Sequence, residues 1–276
     1  MKNQQSAILA LFICLVSASA LAQVSLAPTT VFIDQNGVGT LFVTNPGDTP
    51  QEINVSFLFG YPGNDEAGNL TMVYGDSLSE KNYGMGDRLR AFPRTFILAP
   101  QQQQTVRLQV RPDRSLAPGT YFTRIKVTSN AQTADVEQTT TQGVSTQVNF
   151  KFDQVIAAFQ KVGAVNTGLE FGASKVEIAG GTIRIIPEFK VTGNSPYLGS
   201  VTATLKGKAG QVLAEQQQTV ALYFSGKRAV ELKLPENLKP DTYEIVLTYE
   251  TRRSDIPSSD LVQAEVVSTK VTLTIQ

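Results

Sequence analysis

The carboxylates that could ligate a cation lie together in one glycine-rich stretch. Asp65, Glu66 and Asp87 fall within residues 60–87 and could supply oxygen ligands to calcium. Acidic loop residues are more commonly just solvated, so both interpretations stay open here. The stretch lacks the Gly-x-x-x-x-Gly-Lys-Ser/Thr spacing of a phosphate-binding loop. We predict no catalytic residues, no cofactor and no metal site.

Three tyrosines in the same stretch offer a second kind of binding. Tyr61, Tyr74 and Tyr83 could stack on a sugar ring, or they could pack against their own domain. The spacing alone does not choose between these two roles. A sugar-binding module is therefore kept as the weakest of the functional alternatives.

Histidine is absent, which excludes several chemistries. Without it no His-based catalytic triad, His-ligated metal or imidazole pH switch can form. The single cysteine, Cys14, lies in the N-terminal leader, so the remainder has no thiol nucleophile or disulfide. Lys and Arg total 24 and Asp and Glu total 24, and this balance gives no basic face for nucleic acid.

Residues 1–22 are typical of a secretory signal. Lys2 gives a positive start, residues 7–16 form an apolar run, and Ala20-Leu21-Ala22 has the small-x-small pattern of a cleavage site. The run is too short to cross a bilayer. We therefore expect an exported chain that is not membrane-spanning and that is placed in the periplasm, with secretion or surface association as the alternative.

Period-two alternation of apolar residues dominates the rest of the chain. This alternation predicts short strands at the spacing of β-sandwiches. The predicted strands include Thr40–Thr44, Ile53–Phe57, Thr105–Val110, Tyr121–Val127, Thr182–Ile186, Val201–Leu205, Val230–Leu234, Tyr243–Tyr249 and Val271–Ile275. We find no amphipathic helical stretch of ten or more residues after the leader. The prediction is an all-β protein of two immunoglobulin-like sandwiches in tandem.

The boundary between the two sandwiches is predicted near Gly163. A long strand pattern, Gln147 to Val162, precedes it, and the turn residues Asn166-Thr167-Gly168 follow it. The predicted domains are residues 23–163 and 164–276. Residues 60–87 and 129–145 are rich in polar residues, so we expect both to be mobile loops.

The first sandwich resembles a known family in three segments. They are Pro28–Ile33 with Val43–Asp48, Phe92–Pro100 with Gln102–Arg107, and Gly119–Val127 with Val148–Val162. In this order and spacing they resemble the N-terminal domain of the periplasmic chaperones that assemble pili. The second half is similar only to a generic immunoglobulin- or fibronectin-type sandwich.

The resemblance implies a function for the last strand of the first domain. In that family the strand is lent to a pilus subunit that lacks one strand, and its alternate apolar side chains fill the subunit's groove. Here Val148, Phe150 and Phe152 alternate with polar residues and would be the donated side chains. The same three side chains could instead face their own domain's core, and periodicity does not decide which.

The basic anchor of the family is missing. Two cations there hold the client's C-terminal carboxylate, and the matching positions here are Thr30 and Ala157. Lys161 lies close by and is the candidate anchor, although it could be a solvated linker lysine. The family's strand-buried arginine matches Arg107, but its acidic partner is absent.

These observations predict a non-enzymatic periplasmic chaperone for pilus or surface-fibre subunits, with an outer-membrane usher as a further partner. The main alternative is an exported structural or adhesive protein that uses the sandwiches as spacers. Genes for an usher and for subunits beside the chaperone gene would favour the first, and display on the cell surface would favour the second.

Overall fold

The structure is a computed structural model that describes residues 24–132, 150–236 and 238–275. Within this part the regular secondary structure is β-strand apart from one short helix and one 3-10 turn, as the alternation predicted. Every predicted strand segment overlaps an observed strand. The leader over residues 1–22 and residues 133–145 of the second predicted loop lie outside the described residues.

The first sandwich consists of two facing sheets. One has the strand order β1-β3-β9-β7 and the other has the order β2-β11-β10-β4-β8. Neighbouring strands are antiparallel except for β2 and β11, which are parallel. The strands are β1 (Ser25–Ala27), β2 (Thr30–Ile33), β3 (Val38–Thr44), β4 (Gln51–Leu58), β7 (Leu89–Phe92), β8 (Thr95–Leu98), β9 (Gln103–Val110), β10 (Gly119–Ala131) and β11 (Lys151–Val162).

Alternate residues of these strands form the first core. Leu41 of β3, Leu108 of β9 and Ile125 of β10 are fully buried. The residues on either side of Leu41 in β3 and of Leu108 in β9 are exposed. Each large apolar side chain removed from water contributes roughly 1.5–3 kcal/mol. With no cysteine after Cys14, the core must supply the stability that disulfides give many small exported domains.

A buried asparagine fixes the turn after β3. The Asn45 side-chain amide donates to the carbonyls of Thr49 (2.8 Å) and Leu98 (3.1 Å), and its Oδ1 accepts the Gly47 N–H (3.0 Å). A buried amide without these partners would be destabilising. The Asn45–Asp48 turn, one of the segments that carries the family resemblance, is therefore held by its first residue.

The second sandwich also has two sheets. One contains β12-β13-β16 with β17 paired to β13, and the other has the order β15-β14-β18-β19. Its core is centred on the buried residues Ile185, Val201, Leu205 and Ile245. The strands are β12 (Thr167–Ala179), β13 (Thr182–Gly193), β14 (Tyr197–Lys206), β15 (Val212–Leu222), β16 (Gly226–Lys227), β17 (Val230–Lys233), β18 (Asp241–Glu250) and β19 (Val267–Ile275).

Each sandwich carries the same tyrosine hydrogen bond. The Tyr121 hydroxyl donates to the carbonyl of Ala117 (3.0 Å), and the Tyr243 hydroxyl donates to that of Lys239 (2.8 Å). Both tyrosines lie near the start of a long central strand and bond to backbone four residues upstream. This is the tyrosine corner of immunoglobulin-like sandwiches. Both halves therefore have the predicted fold class.

Residues 60–87 are not the irregular loop that we expected. They form a hairpin of β5 (Gly60–Asn64) and β6 (Leu70–Tyr74), then the helix α1 (Ser77–Tyr83) and a short 3-10 turn at Gly86–Arg88. The side chain of Asp76 caps the helix by accepting the Ser79 N–H at 3.0 Å. The prediction failed because Gly60, Pro62 and Gly63 are poor strand formers, yet a two-stranded hairpin accepts them.

Candidate functional site

The last strand of the first sandwich has an open edge. β11 pairs with β10 along its whole length, from Lys151 opposite Asn130 to Val162 opposite Gly119. On its other side it pairs with β2 only at Ala157–Gln160. Within the part of the chain that the structure describes, Lys151–Ile156 therefore has no strand on its outer side. Its outward N–H and C=O groups are free to pair with another chain.

The two faces of this open segment differ. Ile156 lies opposite Ile125 of β10 and packs against the first core, so Phe152, Gln154 and Ile156 share the core-facing side. Gln154 donates its side-chain amide to the Val24 carbonyl at 2.6 Å. Because that bond satisfies the amide, the polar residue is tolerated between the two apolar ones.

Charged side chains occupy the other face. Asp153 accepts hydrogen bonds from Thr128 Oγ1 (2.6 Å) and Lys126 Nζ (3.3 Å). These bonds, above all the one from Thr128, hold the pKa of the Asp153 carboxyl below its usual value. Lys151 on the same face is exposed. Asp153 is therefore ionised at neutral pH, and the exposed Val155 is an apolar side chain that shares this face with the two charged ones.

The two described phenylalanines lie together at the start of the edge. The Phe150 side chain is 66% exposed and Phe152 is half-buried, and their rings stack with centroids 6.4 Å apart. Neither ring belongs to the buried core cluster of the first sandwich. Val148, the third predicted side chain, lies outside the described residues.

The two positions that match the family's basic anchor are neighbours. Thr30 on β2 and Ala157 on β11 are partners in the parallel ladder. The partner of Ala157 on the other side is Arg124 of β10. Thr30, Ala157 and Arg124 thus form one row on the outer face of the sheet, and Arg124 is the only cation in these three positions. Its Nε donates to the Gly60 carbonyl at 3.0 Å.

Arg124 was not among the residues predicted from the sequence. Within β10 the side chains of Tyr121, Thr123 and Ile125 lie on one side of the sheet and those of Phe122 and Arg124 on the other. Of these five residues Arg124 is half-buried and the other four are buried. That alternation places an arginine on the outward face, but nothing in it indicates that the face is covered by the second sandwich.

Lys161 contacts the second sandwich. Its Nζ donates to the backbone carbonyls of Asp260 (3.1 Å) and Ser259 (3.4 Å). The side chain is therefore neither fully solvated nor placed beside Thr30. It belongs to the contact between the two halves of the chain.

Aromatic side chains fill the space between the two sandwiches. Phe59, Phe122 and Phe159 from the first pack with Leu198 and Tyr223 from the second. Phe122 and Phe159 lie on the same sheet face as Arg124 and Ala157. Burial of Tyr223 raises the pKa of its hydroxyl to about 12, an effect that the nearby cations of Arg124 and Arg253 oppose. The aromatic cluster thus lies between the two sandwiches, beside the row of Thr30, Ala157 and Arg124.

Two of the three tyrosines predicted as sugar-stacking candidates belong to this packing. The centroid of the Tyr61 ring lies 4.9 Å from that of Phe224 and 5.8 Å from that of Tyr223. The centroid of the Tyr83 ring lies 6.1 Å from that of Phe122. Tyr74 is 48% exposed. The tyrosines therefore do not form a shared stacking platform, and the packing interpretation is the one that the geometry favours.

The carboxylates of the same stretch do not converge on a cation site. Asp65 accepts hydrogen bonds from the turn that it begins, Glu66 is fully exposed, and Asp87 lies on the 3-10 turn. Among the described residues no group of three or more Asp, Glu, His or Cys side chains could hold a metal ion.

The prediction for Arg107 was wrong. Arg107 is exposed on β9, between the buried residues Val106 and Leu108. The alternation of β9 decides this, since neighbouring residues of a strand face opposite sides. Arg88 and Arg124 of this sandwich are half-buried instead, and the Arg88 guanidinium lies 5.3 Å from the centre of the Tyr121 ring.

Fold and site together define a class: a protein of two tandem immunoglobulin-like sandwiches whose first domain ends in a partly unpaired edge strand. Among the residues that the structure describes, no helix is long and apolar enough to cross a membrane.

No family model and no curated protein matches the sequence. Solved structures of similar fold include the YadV chaperone, at 11% identity, covering 91% of this chain and 99% of that one, with a TM-score of 0.44. A second is the Salmonella enterica SafA pilin in complex with the SafB chaperone, at 13% identity, 94% and 99% coverage, and a TM-score of 0.43.

A third is the CsuC–CsuE chaperone–tip subunit pre-assembly complex from Acinetobacter baumannii pili, at 10% identity, 90% and 98% coverage, and a TM-score of 0.43. All three of these structures contain a chaperone, which in the second and third is bound to a pilin or to a tip subunit. At identities of 10–13% and TM-scores of 0.43–0.44, these similarities do not identify a partner for this chain.

Proposed function

We propose that this protein is a periplasmic, non-enzymatic chaperone that binds pilus or surface-fibre subunits by lending them the edge of β11. The observation that carries the proposal is the open edge at Lys151–Ile156, which begins beside the exposed Phe150. In this proposal residues 23–163 form the client-binding domain and residues 164–276 form the second domain, and an outer-membrane usher is the further partner.

The direction of the aromatic side chains supports strand donation. A client strand added to β11 would extend the five-stranded sheet, so side chains on its core-facing side would point into the client's own core. Phe152 is on that side. Phe150 lies two residues before it in the sequence, which is one period of a strand. Each such side chain removed from water would contribute roughly 1.5–3 kcal/mol to binding.

This orientation reconciles the two interpretations of the sequence. A residue of an edge strand can face its own domain's core side and also extend beyond that core into an added sandwich. Ile156 packs against the first core, whereas Phe150 lies beyond it. The donated part of the strand would then be its start.

The test is the double change Phe150→Ser and Phe152→Ser, assayed by co-purification with a co-expressed pilus or surface-fibre subunit. We expect the complex to be lost. The free protein should be destabilised by only about 1 kcal/mol, since Phe150 is exposed and the half-buried Phe152 lies outside the buried core cluster. Thermal unfolding of the free protein measures that cost.

Lys151→Glu on the opposite face is the matched control and should retain the complex. If the double variant instead loses several kcal/mol of stability, in the range of large-to-small core changes, these rings belong to the domain's own core and the proposal fails. Retention of the complex by the double variant would also contradict it.

A further inference from the structure

The hairpin of β5 and β6 reaches from the first sandwich to the second. At its tip the Gly68 carbonyl accepts the backbone N–H of Ala229 at 2.9 Å. The neighbouring Asn69 side-chain oxygen accepts a hydrogen bond from the Arg184 guanidinium. Gly68 itself is buried against Ile186 and Ala229. The tip is therefore a packed interdomain contact.

The tip is held in shape by its own residues. Asp65 Oδ1 accepts the N–H groups of Ala67 (2.9 Å) and Asn69 (2.8 Å), and Oδ2 accepts the Asn69 side-chain amide (2.8 Å). These bonds, led by the one from the Asn69 side chain, lower the pKa of the Asp65 carboxyl. Gly68 has a φ of +76°, which favours glycine. The turn thus presents the Gly68 carbonyl without help from the second sandwich.

A separate contact joins the sandwiches next to the linker. The Thr120 N–H donates to the Asn194 carbonyl at 2.9 Å, and the Asn194 side-chain amide donates to the Pro118 carbonyl at 3.0 Å. Asn194 directly follows β13, whereas Arg184 lies near its start. Ten residues of strand separate them, a span of about 30 Å.

The base of the hairpin adds a third contact between these two. Tyr61 of β5 packs on Tyr223 and Phe224 of the second sandwich, and its hydroxyl donates to Asp76 at 2.7 Å. A linker turn at Gly163 alone would leave the second sandwich free to rotate. Contacts spread over about 30 Å of β13 oppose that rotation, because a rotation about the linker would break the contacts that lie far from it.

We infer that the hairpin, residues 60–74, is an interdomain brace that fixes the orientation of the second sandwich relative to the first. Its tip supplies the contact farthest along β13 from the linker, and Gly68 is its positioning residue. For client binding the consequence rests on the proposed function: the brace fixes the position of the second sandwich relative to the row of Thr30, Ala157 and Arg124.

One glycine of the hairpin, Gly68, and the glycine that directly follows the hairpin, Gly75, provide a matched pair of variants. A Cβ at Gly68 would lie 2.7 Å from the Ala229 nitrogen, too close for van der Waals contact, so the tip would have to move away. Gly75 has nearly the same backbone angle, a φ of +75°, but a Cβ there has no atom within 4 Å. Gly68→Ala and Gly75→Ala therefore both place an alanine at a positive φ, and only the first also puts a Cβ against the second sandwich.

The orientation is measured by pulsed electron spin resonance between spin labels at Thr105→Cys on β9 and Thr272→Cys on β19, both exposed strand positions. The chain from Gln23 onward has no other cysteine. We expect one narrow distance distribution for the parent protein and for Gly75→Ala, and a broader or shifted one for Gly68→Ala. Identical distributions for the two glycine variants would overturn the inference.

Amide exchange at Ala229 provides a second readout, since its N–H bonds to the Gly68 carbonyl. Exchange at Ala229 should become at least tenfold faster in Gly68→Ala and stay unchanged in Gly75→Ala, and equal rates in the two variants would contradict the brace. Both measurements use the free protein. They test the brace even if neither the parent protein nor any variant binds a pilus subunit. In that case only the proposed function fails.

Discussion

Thr30 and Ala157 stand where the pilus chaperones that the sequence resembles are expected to place cations, and neither side chain can carry charge. A carboxylate bound beside them would lose the charge-assisted hydrogen bonds that make such contacts strong. Arg124 shares their row, but its Nε already donates to the Gly60 carbonyl, and the aromatic cluster adjoins it. Lys161 is directed to the carbonyls of Ser259 and Asp260. Both of these cations therefore already donate hydrogen bonds to backbone carbonyls of the protein itself.

We therefore expect client binding to depend weakly on the client's terminal carboxylate. Amidation of a peptide with the C-terminal sequence of the client should change its affinity by less than about tenfold, or 1.4 kcal/mol, measured by calorimetry. The same peptides on Arg124→Gln and Lys161→Gln give the comparison. A larger loss on amidation that disappears in one of these variants would contradict the expectation and would identify that cation as the anchor.

An unpaired strand edge exposes a protein to unwanted pairing, and β11 carries features that limit it. Lys151 and Asp153 place opposite charges on the outward face of the open segment. Charged side chains on an edge disfavour aggregation because a second apolar strand would have to cover them. The parallel strand β2 closes the remaining part of β11 at Ala157–Gln160. The element thus divides into a paired half and an open half.

This division predicts a pattern of amide exchange along β11. In the free protein the outward N–H groups of Lys151–Ile156 should exchange rapidly, because only water satisfies them. Binding of a client-derived strand peptide should slow them by at least tenfold. The amides of Ala157–Gln160 provide the internal control and should be slow in both states. Unchanged exchange in the open half on peptide binding would show that the client binds elsewhere.

The whole molecule combines two disulfide-free cores with an aromatic interdomain cluster. Each sandwich has its own buried cluster, and the third cluster, around Phe122 and Tyr223, draws on both. The contact between the halves includes backbone and side-chain hydrogen bonds at Asn194 and at Gly68. Each core can therefore fold without disulfide formation.

The leader makes a prediction at this scale. Expression in a Gram-negative host should place the protein in the periplasmic extract, with cleavage after Ala22 and Gln23 as the new first residue. Intact-mass spectrometry of the extracted protein checks the cleavage site. Recovery of the uncleaved chain from the cytoplasm would contradict the predicted leader. Recovery of the cleaved chain on the cell surface would favour the structural or adhesive alternative.

The strands and the fold class could be predicted from the sequence alone, because a side chain's face within a strand depends only on its local period of two. The absence of histidine likewise excluded whole classes of site without any structure. Repeated Pro-x-Thr-Tyr segments, at Pro118–Tyr121 and Pro240–Tyr243, were a further local signal of both tyrosine corners, which we did not use.

The site depended on contacts between distant residues. Whether an edge is open is decided by which strands pair: β2 reaches Ala157 but not Lys151, and no local pattern records that length. The row of Thr30, Ala157 and Arg124 joins three strands that are far apart in the chain. The role of Gly68 likewise depends on Ala229 in the other sandwich. Local alternation determines which way a side chain faces, and only the tertiary structure determines what covers it.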